Sequence, residues 1–275
     1  MSYSSYKALS VTISEGVATV VINAPPINIF SLDLYTEMVS LSDQLAADES
    51  VRVVVMRSAN PEFFIAHFDV NLILMFPGDL PAPKVLNDFH RMCENFRTMP
   101  KATIAVIEGR VGGGGAELVS SFDMRFASAG KAIFNQPEVA LGILPGGSGT
   151  VRLPRLIGRS RALEVILGGE DIDAHTAEQW GWVNRALGAK ELWPFVNNLA
   201  RRIASFPPQA VAEAKAAILR ADHNIEEELL QEAAGFNRLL GDPRAQLAMR
   251  NFLERGGQTR EGELRLGALA DEIND

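Results

Sequence analysis

Two carboxylates in a glycine-dense part of the chain have the residue types that acid–base chemistry needs. Glu117 follows the glycines of residues 112–115, and Glu138 stands beside a proline in a mostly apolar setting. Asp and Glu are seldom buried without a reason. Two carboxyl groups that face one cavity can act as general acid and general base if their surroundings separate their pKa values. The alternative is an exposed Glu117 that only complements a helix dipole.

The glycine run itself predicts a place for a developing negative charge. It lies between an apolar run, residues 103–107, and the segment 116–119. This order predicts a strand, a close backbone passage and a helix in which Glu117 is the second or third residue. Because a helix N-terminus presents unpaired N–H groups, the junction predicts an oxyanion hole. Ordinary turn glycines at a helix start are the alternative.

Other glycine motifs do not fit this region. The dinucleotide pattern G-x-G-x-x-G, started at Gly112, places Glu117 where the last glycine belongs. The phosphate-loop pattern G-x-x-x-x-G-K-[ST] does not occur in the sequence. A nucleophile elbow around Ser148 fails because position 150 is Thr. Spacing therefore argues against nucleotide binding and against a serine nucleophile.

Ordered blocks of sequence give the chain a resemblance to the enoyl-CoA hydratase/isomerase (crotonase) superfamily. These blocks are residues 109–118, 136–138 and 142–158, and the similarity continues through 159–164 and 173–184. The resemblance implies an α/β fold, a spiral of ββα units with a C-terminal helical trimerisation region. It also implies an acyl-CoA thioester as the small-molecule substrate. Coenzyme A then enters as part of the substrate, and no metal or other cofactor is expected.

The resemblance assigns roles to individual residues. It implies that Glu117 activates water and that Glu138 supplies the α-proton, or that the two share both tasks. The implied oxyanion donors are the backbone N–H groups of Gly114 and of Ala66, the latter in an A-G-x-D-like loop. The other implied substrate-binding residues are His67, Phe68, Asp69 and Gly113. Because both glutamates are kept, hydration of a 2-enoyl-CoA is favoured over the isomerase branch, in which one carboxylate commonly moves the proton.

Some positions depart from the family pattern. His67 stands where most relatives have glycine, and residues 24–26 are Ala-Pro-Pro where many relatives have basic residues for the CoA phosphates. His67 either points into the pocket or is a packed or solvated loop histidine. These departures leave alternatives open: another acyl-CoA enolate reaction (double-bond isomerisation, C–C cleavage or thioester hydrolysis), or a non-catalytic crotonase-fold binding protein.

Length and charge limit the domain organisation and the partners. The chain has 275 residues, is 47% hydrophobic and carries a formal net charge of −8 at pH 7. We expect one spiral core at residues 1–189 and a helical region at residues 190–275. In the family such helices build trimers or dimers of trimers and cover the active site. The acidic balance argues against nucleic acid or an anionic membrane as a partner.

The single cysteine, Cys93, permits no internal disulfide, which is typical of a reducing compartment. It shares helical spacing with Phe89, Met92 and Phe96, so we expect a buried structural thiol. No apolar run approaches the ~20 residues that span a bilayer, and the N-terminus carries no basic-then-apolar signal. We therefore expect a cytoplasmic protein.

Local patterns predict several elements. Alternation from Leu9 to Ile22 around Glu15-Gly16 predicts a hairpin, and Ser31 is expected to cap the helix that follows it. Residues 68–76 and the proline-rich loop 77–83 are expected to shape the acyl pocket, as in relatives. Four C-terminal helices are expected at residues 191–204, 208–219, 225–239 and 243–254. Not all of these helices are expected to bury their apolar faces on the sheet core.

Overall fold

A computed structural model describes residues 3–78 and 80–273 of the chain. Its strands form one six-stranded and one four-stranded sheet. The strands are β1 (Leu9–Ser14), β2 (Val17–Ile22), β3 (Val53–Ser58), β4 (Phe63–Ile65), β5 (Ala102–Ile107), β6 (Arg110–Gly112), β7 (Met124–Ser128), β8 (Ile133–Asn135), β9 (Ile172–Asp173) and β10 (Arg185–Leu187). The larger sheet has the order β1-β2-β3-β5-β7-β10 and the smaller has β4-β6-β8-β9.

Helices connect and cover the two sheets. They are α1 (Leu32–Ala47), α2 (Val70–Leu74), α3 (Asp88–Thr98), α4 (Gly113–Ser120), α5 (Gly149–Ile157), α6 (Arg159–Gly168), α7 (Ala174–Trp180), α8 (Leu192–Ala204), α9 (Pro208–Leu219), α10 (Ile225–Leu240), α11 (Pro243–Glu254), α12 (Arg260–Glu263) and α13 (Leu266–Ile273). Strands and helices are interspersed up to β10, and the regular elements described beyond it are helices only. This is the mixed α/β architecture that the sequence predicted.

The larger sheet begins with the predicted hairpin and continues with parallel strands. β1 and β2 are antiparallel, and their turn places Glu15 and Gly16 at φ values of 52° and 78°. Two successive left-handed residues give a turn whose twist matches that of paired strands. β3 and β5 read as continuous apolar runs because helices cover both faces of the sheet.

The site-bearing elements come from the adjacent β5–β6–α4 segment and from the small sheet. β6 pairs with β4 on one side and with β8 on the other, in parallel. Because α4 follows β6 and the segment around Glu138 follows β8, both start from neighbouring strand ends. The carboxyl ends of parallel strands lie at the same edge of a sheet, so the two glutamates are brought together by topology.

The C-terminal helices divide between two packing surfaces. α8 buries Leu192, Val196, Ala200 and Ala204 against the larger sheet, so at least one C-terminal helix does pack on the sheet core. α10, α11 and α13 form a second core with Val70, Ile73, Leu141 and Ile143 of the spiral, beside the glutamates. α9 is different: all of its residues are described, and none of them is buried.

Candidate active site

Glu117 and Glu138 line one cavity of about 340 Å³. Glu117 lies on α4 and is 4% exposed, and Glu138 follows β8 and is 8% exposed. The sequence had left open whether Glu117 is a solvated dipole partner, and its burial excludes that alternative. The structure thus brings the two predicted carboxylates into one largely apolar space, where acid–base chemistry can be separated from bulk water.

Glu117 is fixed by the loop that precedes α5. Its Oε1 accepts hydrogen bonds from the backbone N–H groups of Gly147, at 2.8 Å, and Gly149, at 2.7 Å. A Cβ on Gly147 would lie 2.6 Å from Glu117 Oε2 and 2.5 Å from Phe89 Cε1. Glycine at position 147 therefore allows the backbone to approach the carboxylate directly.

The glycine run forms the first turn of α4 itself. The helix begins at Gly113, so Glu117 is its fifth residue and not its second or third. The predicted start was too late because glycines weaken the helix signal, although here they are needed for close packing. A Cβ on Gly115 would lie 2.8 Å from Ile65 Cβ of β4. The first-turn N–H groups, including that of Gly114, have no intrahelical acceptor and are available to an oxyanion.

The second expected donor, Ala66, does not fit this geometry. Its N–H donates to the Ile27 carbonyl at 3.3 Å, and Ala66 does not line the cavity. Phe68 does line it, and within the described part of the chain its N–H has no hydrogen-bond acceptor. A Cβ on Gly114 would lie 3.5 Å from Phe68 Cβ, so these residues are neighbours. Phe68 therefore replaces Ala66 as the candidate donor. The local sequence could not show that the Ala66 N–H pairs with the distant Ile27.

The other predicted substrate-binding residues separate into two groups. His67 lines the cavity with Phe68 and Gly114, whereas Asp69 and Gly113 do not. The Asp69 side chain caps α2 and accepts a hydrogen bond from Gln258 Nε2 at 2.8 Å. Gly113, at φ 46°, is covered by Glu138 and His67. The structure therefore gives Asp69 and Gly113 positions that support the loop and the helix start.

Burial and mutual repulsion raise the proton affinity of both glutamates. Burial raises the pKa of Glu138 to about 7, with its own backbone N–H and His67 acting in the opposite direction and Glu232 adding to it. The pKa of Glu117 is raised well above its usual range by burial, then by the charges of Glu138 and Glu232. Two such carboxyls titrate as a pair, so the pair still holds a proton at neutral pH.

Gln136 adds a donor on the Glu138 side. In the amide orientation that satisfies both ends of its side chain, its nitrogen donates to the two oxygens of Glu138, at 3.2 and 2.9 Å. Gln136 is 1% exposed. Hydrogen bonds to the charged form of a carboxylate favour ionisation, so Gln136 opposes part of the effect of burial.

Glu232 is a third buried carboxylate, and sequence reasoning missed it. It lies on α10, is 6% exposed, and accepts hydrogen bonds from Ser148 N–H at 2.7 Å and Thr150 N–H at 2.8 Å. His90 Nε2 lies 3.4 Å from its Oε1. Glu232 shares the apolar helix face of Leu229 and Phe236, three and four residues away, and an acid at that spacing was the available signal.

Most of the remaining cavity wall is apolar. As predicted for the pocket segments, Phe68, Val70, Ile73 and Phe76 line it, and the loop contributes Leu80 and Pro83. Phe236 of α10 closes the wall from the C-terminal region. Among the residues that the structure describes, no group of three His, Cys, Asp or Glu side chains could hold a metal ion, and no helix could cross a membrane.

Comparisons with known proteins agree with this arrangement. Residues 12–262 match the family model described as enoyl-CoA hydratase/isomerase. The chain is 32% identical to a short-chain-enoyl-CoA hydratase of Clostridium acetobutylicum, with 87% of this chain and 92% of that protein covered. It is 32% identical to a crotonyl-CoA hydratase of Syntrophomonas wolfei, with 91% and 96% covered.

A solved structure extends the comparison to three dimensions. The fold superposes on the crystal structure of a candidate enoyl-CoA hydratase from Streptomyces avermitilis with a TM-score of 0.89 and 37% sequence identity, and 98% of this chain and 99% of that chain are covered. The family match spans nearly the whole chain and includes both cavity glutamates. This chain is therefore a member of the enoyl-CoA hydratase/isomerase family.

Proposed function

We propose that this protein is an enoyl-CoA hydratase that adds water across the double bond of a 2-enoyl-CoA. The observation that carries the proposal is the placement of two buried glutamates, Glu117 and Glu138, in one cavity beside the first-turn N–H of Gly114. The named activities of the two bacterial relatives support the same reaction. One carboxylate would serve a simple proton shuttle, whereas water addition uses two.

Each group has a defined task in this proposal. The thioester oxygen accepts hydrogen bonds from the N–H groups of Gly114 and Phe68, which stabilise the enolate charge that develops there. Such a donor contributes roughly 10²–10³ in rate. Glu117 takes a proton from water as the water oxygen bonds to Cβ of the substrate. The enolate then collapses as the substrate Cα takes a proton from Glu138. General acid and base catalysis contribute on the order of 10²–10⁴ each.

The proton balance closes without another reagent. After the addition, Glu117 holds the proton taken from water and Glu138 has lost one. Transfer between the two carboxyls, or exchange with solvent, restores the starting state. We therefore propose that the reaction uses no metal or redox cofactor and that coenzyme A takes part only as a portion of the substrate.

The assembly and location extend the same proposal. A homotrimer or a dimer of trimers is supported by α9, which has no buried residue and leaves Ile218 72% exposed. Light scattering coupled to size exclusion tests it, since a monomer mass overturns it. A cytoplasmic location is supported by the single, buried cysteine.

The direct test is the loss of conjugated-thioester absorbance when the protein meets crotonyl-CoA, with mass spectrometry of the product. We expect a gain of one water. Glu117→Gln and Glu138→Gln should each lower kcat by at least ~10²-fold. The matched control is Glu164→Gln, because Glu164 is exposed on α6. Full turnover in both cavity variants contradicts the mechanism. A mass-neutral or cleaved product contradicts hydration.

A further inference from the structure

His67 stands on the loop between β4 and α2 with both of its ring nitrogens engaged. Nδ1 lies 2.7 Å from the Phe68 carbonyl oxygen, and Nε2 lies 3.0 Å from Glu263 Oε1. Both partners are acceptors, because a carbonyl and a carboxylate offer no proton. Each nitrogen must then carry a hydrogen. The contact geometry therefore describes a buried imidazolium cation, 4% exposed.

Glu263 is built to hold this cation. Its side chain is 1% exposed, and Oε1 also accepts a hydrogen bond from Gln258 N–H at 2.7 Å. Removing one member of a buried, hydrogen-bonded ion pair leaves an uncompensated charge, so each partner stabilises the ionised form of the other. The pair connects α12 to the loop at positions separated by 196 residues in the sequence.

His67 is also adjacent to the acid–base pair. A Cβ on Gly113 would lie 3.0 Å from His67 Cβ and 2.9 Å from Glu138 Oε1, so the histidine and the glutamate cover the same glycine. Glu138 otherwise faces Glu117 from α4 and Glu232 from α10. His67 thus provides a positive charge beside three carboxylates.

The charged groups around His67 come from several different elements. His67 faces Glu263 from α12 and Glu138 from the segment after β8. Behind Glu263, Arg110 of β6 contributes a positive charge, and Arg110 is itself paired with Asp171 at 2.6 Å. The negative partners of His67 therefore outnumber its positive neighbours, which favours the cation.

We propose that His67 is a positioning residue for the hydration reaction: kept as a cation by Glu263, it stabilises the carboxylate that Glu138 becomes when it gives its proton to Cα, beside two other carboxyl groups, and it orients the loop that presents the Phe68 amide. This inference rests on the proposed function. His67 acts through Glu138 and the loop, since both of its ring nitrogens are already occupied. The sequence had left open whether His67 was merely a packed loop residue.

The expected titration agrees with this role. Burial alone would lower the pKa of His67, but the charge and hydrogen bond of Glu263 and the Phe68 carbonyl raise it to about 9. The same pairing, against the effect of burial, lowers the pKa of Glu263. The stabilisation from His67 is complete below its unfolded pKa of about 6.5 and is lost as pH rises through about 9. The stabilisation from Glu263 is complete above the pKa of a free carboxyl, about 4.5, and is lost as pH falls below it.

The test compares the pH profile of kcat/KM for crotonyl-CoA in the wild type, His67→Gln and Glu263→Gln. Removing the cation raises the pKa of Glu138, so the acid limb should move to higher pH by roughly one unit in each variant. The double variant should show no larger shift, because both changes remove the same charge. His175→Gln is the control, since His175 is exposed on α7. A lower melting temperature with an unmoved acid limb overturns the proposal.

A second measurement uses only wild-type protein, so it does not depend on whether the variants fold. In wild-type protein labelled with ¹⁵N-histidine, the His67 ring should give the chemical shifts of a doubly protonated imidazole at about pH 8, where a free histidine is neutral. A neutral ring overturns the proposal. If wild-type protein hydrates no 2-enoyl-CoA while the ring is doubly protonated, the proposed reaction fails and the charge assignment stands, so the two failures are distinguishable.

Discussion

Glu117 and Glu232 hold one loop from two sides, because they accept hydrogen bonds from alternate backbone amides of residues 147–150. The donors are Gly147 and Gly149 for Glu117, and Ser148 and Thr150 for Glu232. Ser148 is in the left-handed region at φ 110°, which is unfavourable for a residue with a side chain. The two carboxylates therefore stabilise a strained backbone that in turn fixes the position of Glu117.

Replacing Glu232 by Gln should weaken this loop. The amide puts an N–H₂ group opposite backbone N–H donors, and a buried donor without its acceptor costs about 1–3 kcal/mol. We expect a lower free energy of unfolding in urea and a kcat/KM for crotonyl-CoA reduced by ~10-fold or more, since Glu117 loses its fixed position. Unfolding curves and steady-state kinetics check both.

Glu228→Gln is the matched control for Glu232→Gln. Glu228 lies one turn earlier on α10, and its side chain is 44% exposed in an ion pair with Arg155 at 2.9 Å. Surface pairs of this kind contribute about 0–1 kcal/mol. We expect nearly wild-type behaviour. If both variants lose stability equally, the effect belongs to α10 as a whole and the role of Glu232 in holding the loop is wrong.

The pH dependence follows from the number of protons that the Glu117–Glu138 pair holds. Water addition needs Glu117 ionised and Glu138 protonated, and dehydration needs the reverse, so both directions require a pair that holds one proton. With the pKa of Glu138 raised to about 7, the pair holds two protons at lower pH. We expect kcat/KM to rise with pH through about 7 and to fall where the second proton is lost.

Because hydration has no net proton uptake, the two directions must share one profile. Their kcat/KM ratio equals the equilibrium constant, which is independent of pH for the neutral reaction. Measuring hydration of crotonyl-CoA and dehydration of 3-hydroxybutyryl-CoA from about pH 5 to 10 therefore locates the acid limb independently in each direction. An acid limb near the ordinary carboxyl pKa would mean that Glu138 is not the buried, raised group that the structure places there.

Local sequence patterns were sufficient for much of the fold. The bounds expected for α9 and α11 agree with Pro208–Leu219 and Pro243–Glu254, because proline at a first helical position and the Asp242 cap are local signals. The hairpin turn was set by Glu15-Gly16, whose left-handed backbone favours glycine. Glu117 and Glu138 were both predicted, since each stands in a motif that resembles the family.

The parts of the site that escaped prediction depend on contacts between distant residues. Glu232 meets its Ser148 donor across 84 residues of sequence, and Glu263 meets His67 across 196. The N–H group of Ala66, which the resemblance implied as an oxyanion donor, donates instead to Ile27 in the loop after β2. No local periodicity reports which backbone amide another loop will occupy.

Two adjacent glycines of α4 should respond differently to alanine. A Cβ on Gly115 would lie 2.8 Å from both Ile65 Cβ and its carbonyl oxygen, so Gly115→Ala forces α4 away from β4. Overpacking of this kind costs about 1–3 kcal/mol. A Cβ on Gly114 meets Phe68 and Phe89 at 3.5 Å, an ordinary contact distance. Gly114→Ala should fold normally and lose activity, because the methyl group enters the cavity beside the oxyanion donor.

Thermal unfolding and kinetics separate the two glycine variants. We expect Gly115→Ala to lower the melting temperature, and Gly114→Ala to keep it while kcat/KM for crotonyl-CoA falls. A stable, fully active Gly114→Ala variant would show that the substrate carbonyl does not approach this helix start. Each variant serves as the matched control for the other, since both add one methyl group to the same turn.

Phe236 should limit the length of the acyl group. It lies on α10 at the apolar wall of the cavity, and its ring is close enough to the loop that a Cβ on Gly146 would lie 2.5 Å from Cδ2. Phe236→Ala opens space in that wall, and each methylene that an apolar pocket accommodates changes kcat/KM by roughly 10–200-fold. We expect the ratio of kcat/KM for octenoyl-CoA over crotonyl-CoA to rise at least ~10-fold.

Leu239→Ala is the control, because Leu239 packs in the same C-terminal core without lining the cavity. An unchanged ratio for Phe236→Ala, or an equal rise for Leu239→Ala, would show that the acyl chain takes another path from the glutamates.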